Sequence, residues 1–247
     1  MNPNINFEDA RQEVLPSISY AEAQCAVPGL LSPAVAARMS EWWTARPTSP
    51  LVLRDLLPAA NASELLATLR AHRGWQLEHI LLDDTDWPEQ VDAATFAAAP
   101  KERQFNKNER LALERIVGTA ATDELQSVMG SEPVLDLLSA VTGRRVVGPI
   151  VEFARYRETD FLTEHQDTFA ARTIGLVLYL ADAEWQPDFG GSLGYRNEAG
   201  ETTVTPPTFN TMSVFPFRTD CAHWVSPVAA PGVTRYSVAL HYTEDGE

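Results

Sequence analysis

The pattern of apolar residues changes at Val146. Beyond it, runs rich in Val, Ile, Leu, Tyr and Phe alternate with turns of Gly, Pro and Asp. The runs are Val146 to Tyr156, Thr173 to Leu180, Gly194 to Arg196, Thr202 to Val204, Thr211 to Phe215, His223 to Val225 and Tyr236 to Tyr242. Side chains on a strand alternate between two faces, so period-2 runs of this kind predict strands with a buried side. A succession of them predicts an antiparallel β-sandwich or barrel.

The chain before Val146 reads differently. Ala26 to Pro33 leads into Ala34 to Ala45, and Leu51 to Pro58 leads into Asn61 to His72. Each phrase reads as a short apolar strand, a turn and an amphipathic helix. Ser32 before Pro33 is a good N-cap and first-turn pair. Leu65, Leu66 and Leu69 form one apolar helix face. Trp75 to Leu82 reads as a strand. Residues 83–108 show little period and read as a long loop that opens on the acidic turn Asp83 to Asp86. Glu109 to Met129 and Pro133 to Val141 read as helices, the second closed by Gly143. The first twenty residues read as a polar arm. The expected class is α+β, with helices packed on one side of a sheet. One domain is expected over residues 1–247, with 1–145 a mainly helical support and substrate cover and 146–247 a β-sandwich.

Charge narrows the function classes. Nineteen basic and 34 acidic residues in 247 give a net charge of −15. That excludes the basic stripe that nucleic-acid phosphates require and disfavours an anionic membrane surface. A small neutral or cationic substrate is expected. No apolar run approaches a membrane span. Met1 to Ala10 has neither the basic nor the apolar region of a secretory signal. Two cysteines, Cys25 and Cys221, are too few for a disulfide framework. A cytoplasmic protein with reduced thiols is the expectation, with a homodimer left open as its assembly.

The chemistry sits in the β-rich half. In an extended segment residues i and i+2 share a face, so His165-Gln166-Asp167 delivers an imidazole and a carboxylate to one point. His223, in another expected strand, supplies a third ligand. Two His and one carboxylate on one face leave three positions open, the ligand set of non-haem Fe(II) oxygenases. Arg235 opens the apolar run that ends at Leu240. A buried arginine there is costly without an anion, and its planar fork suits a carboxylate. His72 and His79 read as surface residues and His241 as structural.

These residues belong to a longer set of phrases. The set comprises Tyr156, Phe161-Leu162-x-x-His165-x-Asp167, Leu178-Tyr179-Leu180-Ala181, Trp185, Gly190-Gly191-Ser192-Leu193, Pro207-x-x-Asn210-Thr211, Phe215, His223-x-Val225-x-Pro227-Val228 and Arg235-Tyr236-Ser237. In this order it resembles the prolyl-4-hydroxylase-like branch of the 2-oxoglutarate- and Fe(II)-dependent dioxygenases. The resemblance covers Tyr156 to Tyr242. It implies a double-stranded β-helix, the jelly-roll or cupin-like core. It also implies that His165, Asp167 and His223 ligate Fe(II) and that Arg235 pairs with the distal carboxylate of 2-oxoglutarate. Tyr179 matches a position that bonds the same carboxylate, and Tyr156 one near the cosubstrate's other end. Ser237 and Thr173 are candidate pocket residues. Gly190-Gly191 matches a turn, and Trp224 is expected to point away from the iron. Gly191-Ser192 stands where the family often has Gly-Glu. Related halogenases carry a small residue at the carboxylate ligand; Asp167 is retained, which implies hydroxylation.

The implied reaction consumes O₂ and 2-oxoglutarate, releases succinate and CO₂, and hydroxylates an unactivated C–H bond. A free amino acid or small metabolite is the expected substrate. A prolyl or other residue in a peptide or protein is the alternative, and a non-catalytic metal-binding module the second alternative. Arg103, Asn106, Lys107 and Asn108 lie in the expected loop, which is a candidate lid and reads more simply as solvated surface.

Overall fold

The computed structural model describes residues 18–45, 49–84, 87–111, 120–167, 172–181 and 184–246. Six helices are seen among them: α1 Tyr20–Ala26, α2 Pro33–Thr44, α3 Ala59–Ala71, α4 Ala93–Ala98, α5 Ala120–Met129 and α6 Glu132–Thr142. Twelve strands form one antiparallel sheet. They are β1 Leu51–Arg54, β2 Gln76–Leu82, β3 Pro88–Gln90, β4 Gln104–Leu111, β5 Val146–Tyr156, β6 Phe161–His165, β7 Arg172–Tyr179, β8 Leu193–Arg196, β9 Thr202–Thr205, β10 Thr211–Pro216, β11 Ala222–Val225 and β12 Arg235–Glu244. The strands run in the order β1-β10-β7-β12-β5-β4-β6-β11-β8-β9, with β2 on β4 and β3 on β2.

This sheet curls until its two ends face each other. Phe215 on β10 lies 5.0 Å, ring to ring, from His223 on β11. Tyr179 and Val177 on β7 share a cluster with Tyr195 and Leu193 on β8. Strand alternation then sorts the side chains. On β12, Tyr236, Val238, Leu240 and Tyr242 join Ile174, Leu176, Leu178, Met212 and Val214 in a core shared with the helices. The intervening residues Arg235, Ser237 and His241 turn to the inside of the curl and are buried there. The result is the expected double-stranded β-helix, with its helices on the outer face of one wall.

Local signals explain several elements. Ser32 caps α2 by accepting from the Val35 amide, with Pro33 in the first turn. Gly143, at φ 69°, closes α6. Val27, Leu30 and Leu31 plug the core from a turn rather than from the expected strand. Pro28-Gly29 breaks that run, and a Cβ on Gly29 would come within 2.5 Å of the Asp55 carbonyl.

The expected loop over residues 83–108 is instead structured. It holds β3, α4, a 3-10 turn at Lys101–Arg103 and most of β4. Asn106 and Asn108 are fully buried on β4, so a solvated loop or lid is ruled out for them. Of the helix expected from Glu109, Glu109 to Leu111 instead complete β4 and pair with β5, and the described helical part is α5. Residues 112–119 of that helix, the first seventeen residues of the arm, and Thr85 and Asp86 of the acidic turn lie outside the described residues. Strands β1 to β4 precede Val146, so the sheet draws on both halves of the chain. Among the described residues no helix is long and apolar enough to cross a membrane. Cys25 is exposed and Cys221 buried, both as free thiols.

Candidate active site

His165 ends β6 and His223 sits on β11, directly opposite it in the pairing register. Cross-strand partners of this kind hold their side chains a few ångströms apart; the two rings lie 4.1 Å apart, centroid to centroid. Asp167 follows two residues after His165. One ligand atom from each of the three lies within 4.8 Å of the others, a group able to hold a metal ion. The Asp167 carboxylate is 3.7 Å from His165 Nε2 and 3.5 Å from His223 Nε2. His165 Nδ1 lies 2.9 Å from the Thr163 carbonyl. Donation there fixes the tautomer and leaves Nε2 to act as a ligand.

Electrostatics agree with a ligand set. Burial alone would raise the Asp167 carboxyl, but its contacts with His165 and His223 outweigh that and hold it well below the usual range. Burial, with His165 beside it, pushes His223 down to about 4, against the pull of Asp167. Arg172, at the start of β7, adds a contact the sequence reading missed: its Nη1 lies 3.0 Å from Asp167. Phe105, Phe215 and Phe217 wall the two imidazoles. Trp224 points away from them, as expected, and packs on Gly194, where a Cβ would come within 2.0 Å of the indole.

A second group lies further along the same inner face. Arg235 is only 2% exposed, and its Nε and Nη1 have no hydrogen-bond partner among the described residues. Its guanidinium stacks between two rings, 4.7 Å from the centre of Tyr156 and 5.2 Å from that of Tyr179. The hydroxyls of Tyr179 and Ser213 are also buried and unpartnered. Burial pushes the Tyr179 hydroxyl up, opposed by Arg235. Ser237 is buried two residues along β12, opposite Tyr179 in register. A cation and two hydroxyls without partners form a socket for an anion. Tyr156 stacks on that cation. Thr173, by contrast, lies at the far end of β7 from Tyr179.

The turn at Gly190-Gly191 is structural, as expected. Gly190 sits at φ 70°, and a Cβ there would come within 2.0 Å of the Pro227 carbonyl. Asn210 is structural as well. Its side chain accepts from the Leu57 amide and donates to the Leu57 carbonyl, pinning the end of β1 to β10.

Sequence reasoning passes over Ser213, Arg172, Arg110 and Glu152. One signal was available for several of them. Polar residues recur at period 2 within strands, as in Thr211 and Ser213, Asn106, Asn108 and Arg110, and Arg235, Ser237 and His241. That is the mark of a strand with a polar interior face.

Comparison with known proteins supports the same reading. Residues 151–242 match the 2OG-Fe(II) oxygenase superfamily. No curated protein matches the chain in sequence. Among solved structures, a prolyl-4-hydroxylase from Pseudomonas putida superposes with a TM-score of 0.60 at 20% identity, over 86% of this chain and 100% of that one. A prolyl hydroxylase from Trichoplax adhaerens, in complex with a hypoxia inducible factor oxygen degradation domain peptide, gives 0.62 at 15% identity, over 86% and 90%. The α-ketoglutarate-dependent epimerase SnoN of nogalamycin biosynthesis gives 0.57 at 13%, over 86% and 84%. These likenesses establish a shared fold. The matched span, residues 151–242, contains the cluster able to hold a metal as well as Arg235, so this part of the chain is similar to the 2OG-Fe(II) oxygenases, enzymes that use Fe(II), 2-oxoglutarate and O₂.

Proposed function

We propose that this chain hydroxylates an unactivated C–H bond of a free amino acid or small metabolite. In this reading His165 Nε2, an Asp167 oxygen and His223 Nε2 hold Fe(II), and Arg235 holds the distal carboxylate of 2-oxoglutarate. Fe(II) bound there would supply the oxidative chemistry: substrate, O₂ and 2-oxoglutarate become hydroxylated substrate, succinate and CO₂, one oxygen atom of O₂ entering the new hydroxyl and the other the new carboxylate of succinate, while CO₂ leaves from the 2-oxoglutarate carboxylate.

The chain's own residues position and protect. Arg172 orients Asp167, and the Thr163 carbonyl orients His165. Tyr156 and Tyr179 hold the Arg235 guanidinium between their faces, which leaves its edge for a carboxylate. Tyr179 and Ser213 add hydroxyl donors to the same socket, with Ser237 beside them. Phe105, Phe215 and Phe217 exclude water from the imidazoles. The observation that carries the reading is Arg235: a cation 2% exposed with two unpartnered nitrogens. Burying an unpaired charge costs several kcal/mol, roughly, unless a ligand anion completes the pair.

The small-substrate reading is supported by the ion-paired side chains Arg110, Glu78 and Glu152, which keep about a quarter of their surface open and suit a compact polar molecule. The test is a screen of free amino acids and peptides with Fe(II) and 2-oxoglutarate, reading succinate and a mass gain of one oxygen atom. Coupled turnover of a free amino acid or metabolite is expected. Turnover of peptides alone would overturn the small-substrate reading. No turnover together with no metal binding would overturn the enzyme reading.

A further inference from the structure

The inner face of the barrel carries a charged group that neither the metal cluster nor the anion socket uses. Arg110 on β4 places its Nη1 2.8 Å from Glu152 on β5 and its Nε 3.2 Å from Glu78 on β2. The register of β2, β4 and β5 puts these three side chains on one face of the sheet, where they keep 29%, 28% and 25% of their surface accessible. We read the open space they share on this inner face as a recess. Each carboxylate gives one oxygen to Arg110, and the other oxygen of each has no partner among the described residues.

Further polar atoms converge there. On the same face of β4, Asn106 donates to Asn108, which leaves the Asn106 carbonyl oxygen and the Asn108 amide nitrogen buried and unpartnered. Nδ1 of His241 on β12 is likewise buried and unpartnered. The recess adjoins the metal cluster: His241 lies 5.4 Å from Phe217, which lies 5.9 Å from His223. Asp167 and Arg172 are among the charges felt at both Glu152 and His241.

The charge count fixes what fits. Two carboxylates and one guanidinium leave a net charge of −1 in the recess, while Arg172 is engaged with Asp167. An anion would meet an arginine already more than neutralised. A cation would meet two carboxylate oxygens and an amide carbonyl. Glu152 is the firmer counter-ion: burial would raise its carboxyl, but Arg110, His241 and Arg172 together hold it below the ordinary value. Burial pushes the Glu78 carboxyl up, with Arg110 opposing.

We propose that this recess binds a cationic amine of the substrate, with Glu152 and Glu78 as its counter-ions and the Asn106 carbonyl as a further acceptor. The proposal rests on the hydroxylase reading above and narrows its substrate class to small primary amines such as free amino acids. Glu152 and Glu78 would then determine specificity, with Arg110 holding both in place.

The experiment measures binding to the full chain loaded with Mn(II) and 2-oxoglutarate. The probes are free L-amino acids, each paired with its N-acetyl derivative. The best free amine is expected to bind at least about tenfold more tightly than its N-acetyl form, the scale of one charge-assisted contact. Glu152→Gln should lose about tenfold in affinity for that amine and keep its affinity for 2-oxoglutarate. Glu78→Gln provides the same comparison if Glu152→Gln does not fold. Equal binding of the free and acetylated forms, no binding of any amine, or unchanged amine affinity in the folded variant would overturn the proposal while leaving 2-oxoglutarate binding intact. Failure of the wild type to bind 2-oxoglutarate would overturn the hydroxylase reading, and this proposal with it.

Discussion

Single residues decide the chemistry here, and they differ in how openly the sequence shows them. Asp167→Ala removes the only carboxylate of the metal-binding group and should abolish metal-dependent succinate formation while the fold persists; activity near wild type would refute its role as a ligand. Arg172→Gln should weaken metal binding by roughly 10- to 100-fold, the usual effect of losing a group that orients a ligand. Titration with Mn(II) measures it, and an unchanged affinity would mean that Arg172 serves only the fold. His165, Asp167, His223 and Arg235 were legible because their spacing and order are local properties of the chain. Arg172 was not, since its partner is set by how β7 lies against the end of β6 rather than by any motif.

At the scale of elements, close approach of backbone and ring governs what is tolerated. A Cβ on Gly194 would lie 2.0 Å from the Trp224 indole, so Gly194→Ala should destabilise the chain by about 1–3 kcal/mol through overpacking. Denaturant unfolding would read it, and no loss would mean that β8 and β11 can part without cost. Asn210→Ala should cost about 1–3 kcal/mol by leaving the buried Leu57 amide and carbonyl unpaired, measured the same way. Strands after Val146 were legible because apolar residues recur at period 2. Strand β4 was not: in Gln104 to Leu111 the buried side is itself polar, with Asn106, Asn108 and Arg110 facing inward. A hydrophobic alternation cannot report a strand whose interior face is built for a ligand. Strand β6 is missing from the apolar runs too, as it is short and ends in His165.

Across the whole molecule, charge is divided between outside and inside. The chain carries −15 overall, yet its anion socket is built on Arg235 and its metal group is capped by Arg172. In the proposed reading, a dianionic cosubstrate would depend on two arginines and a metal held away from the acidic surface. Binding that requires this assembly should stabilise the entire fold. At 100 times its dissociation constant, a ligand specific for the native state adds about 2.7 kcal/mol, so Mn(II) with 2-oxoglutarate should raise the melting temperature by about 5–11 °C. No shift at saturation would mean that no such native-state site exists. The most direct test of the central claim is calorimetric titration of 2-oxoglutarate into the Mn(II)-loaded chain. One site per chain is predicted, absent in Asp167→Ala and at least about 100-fold weaker in Arg235→Ala, the loss expected when a buried charged partner is removed. Binding that both variants retain at wild-type strength would contradict the account.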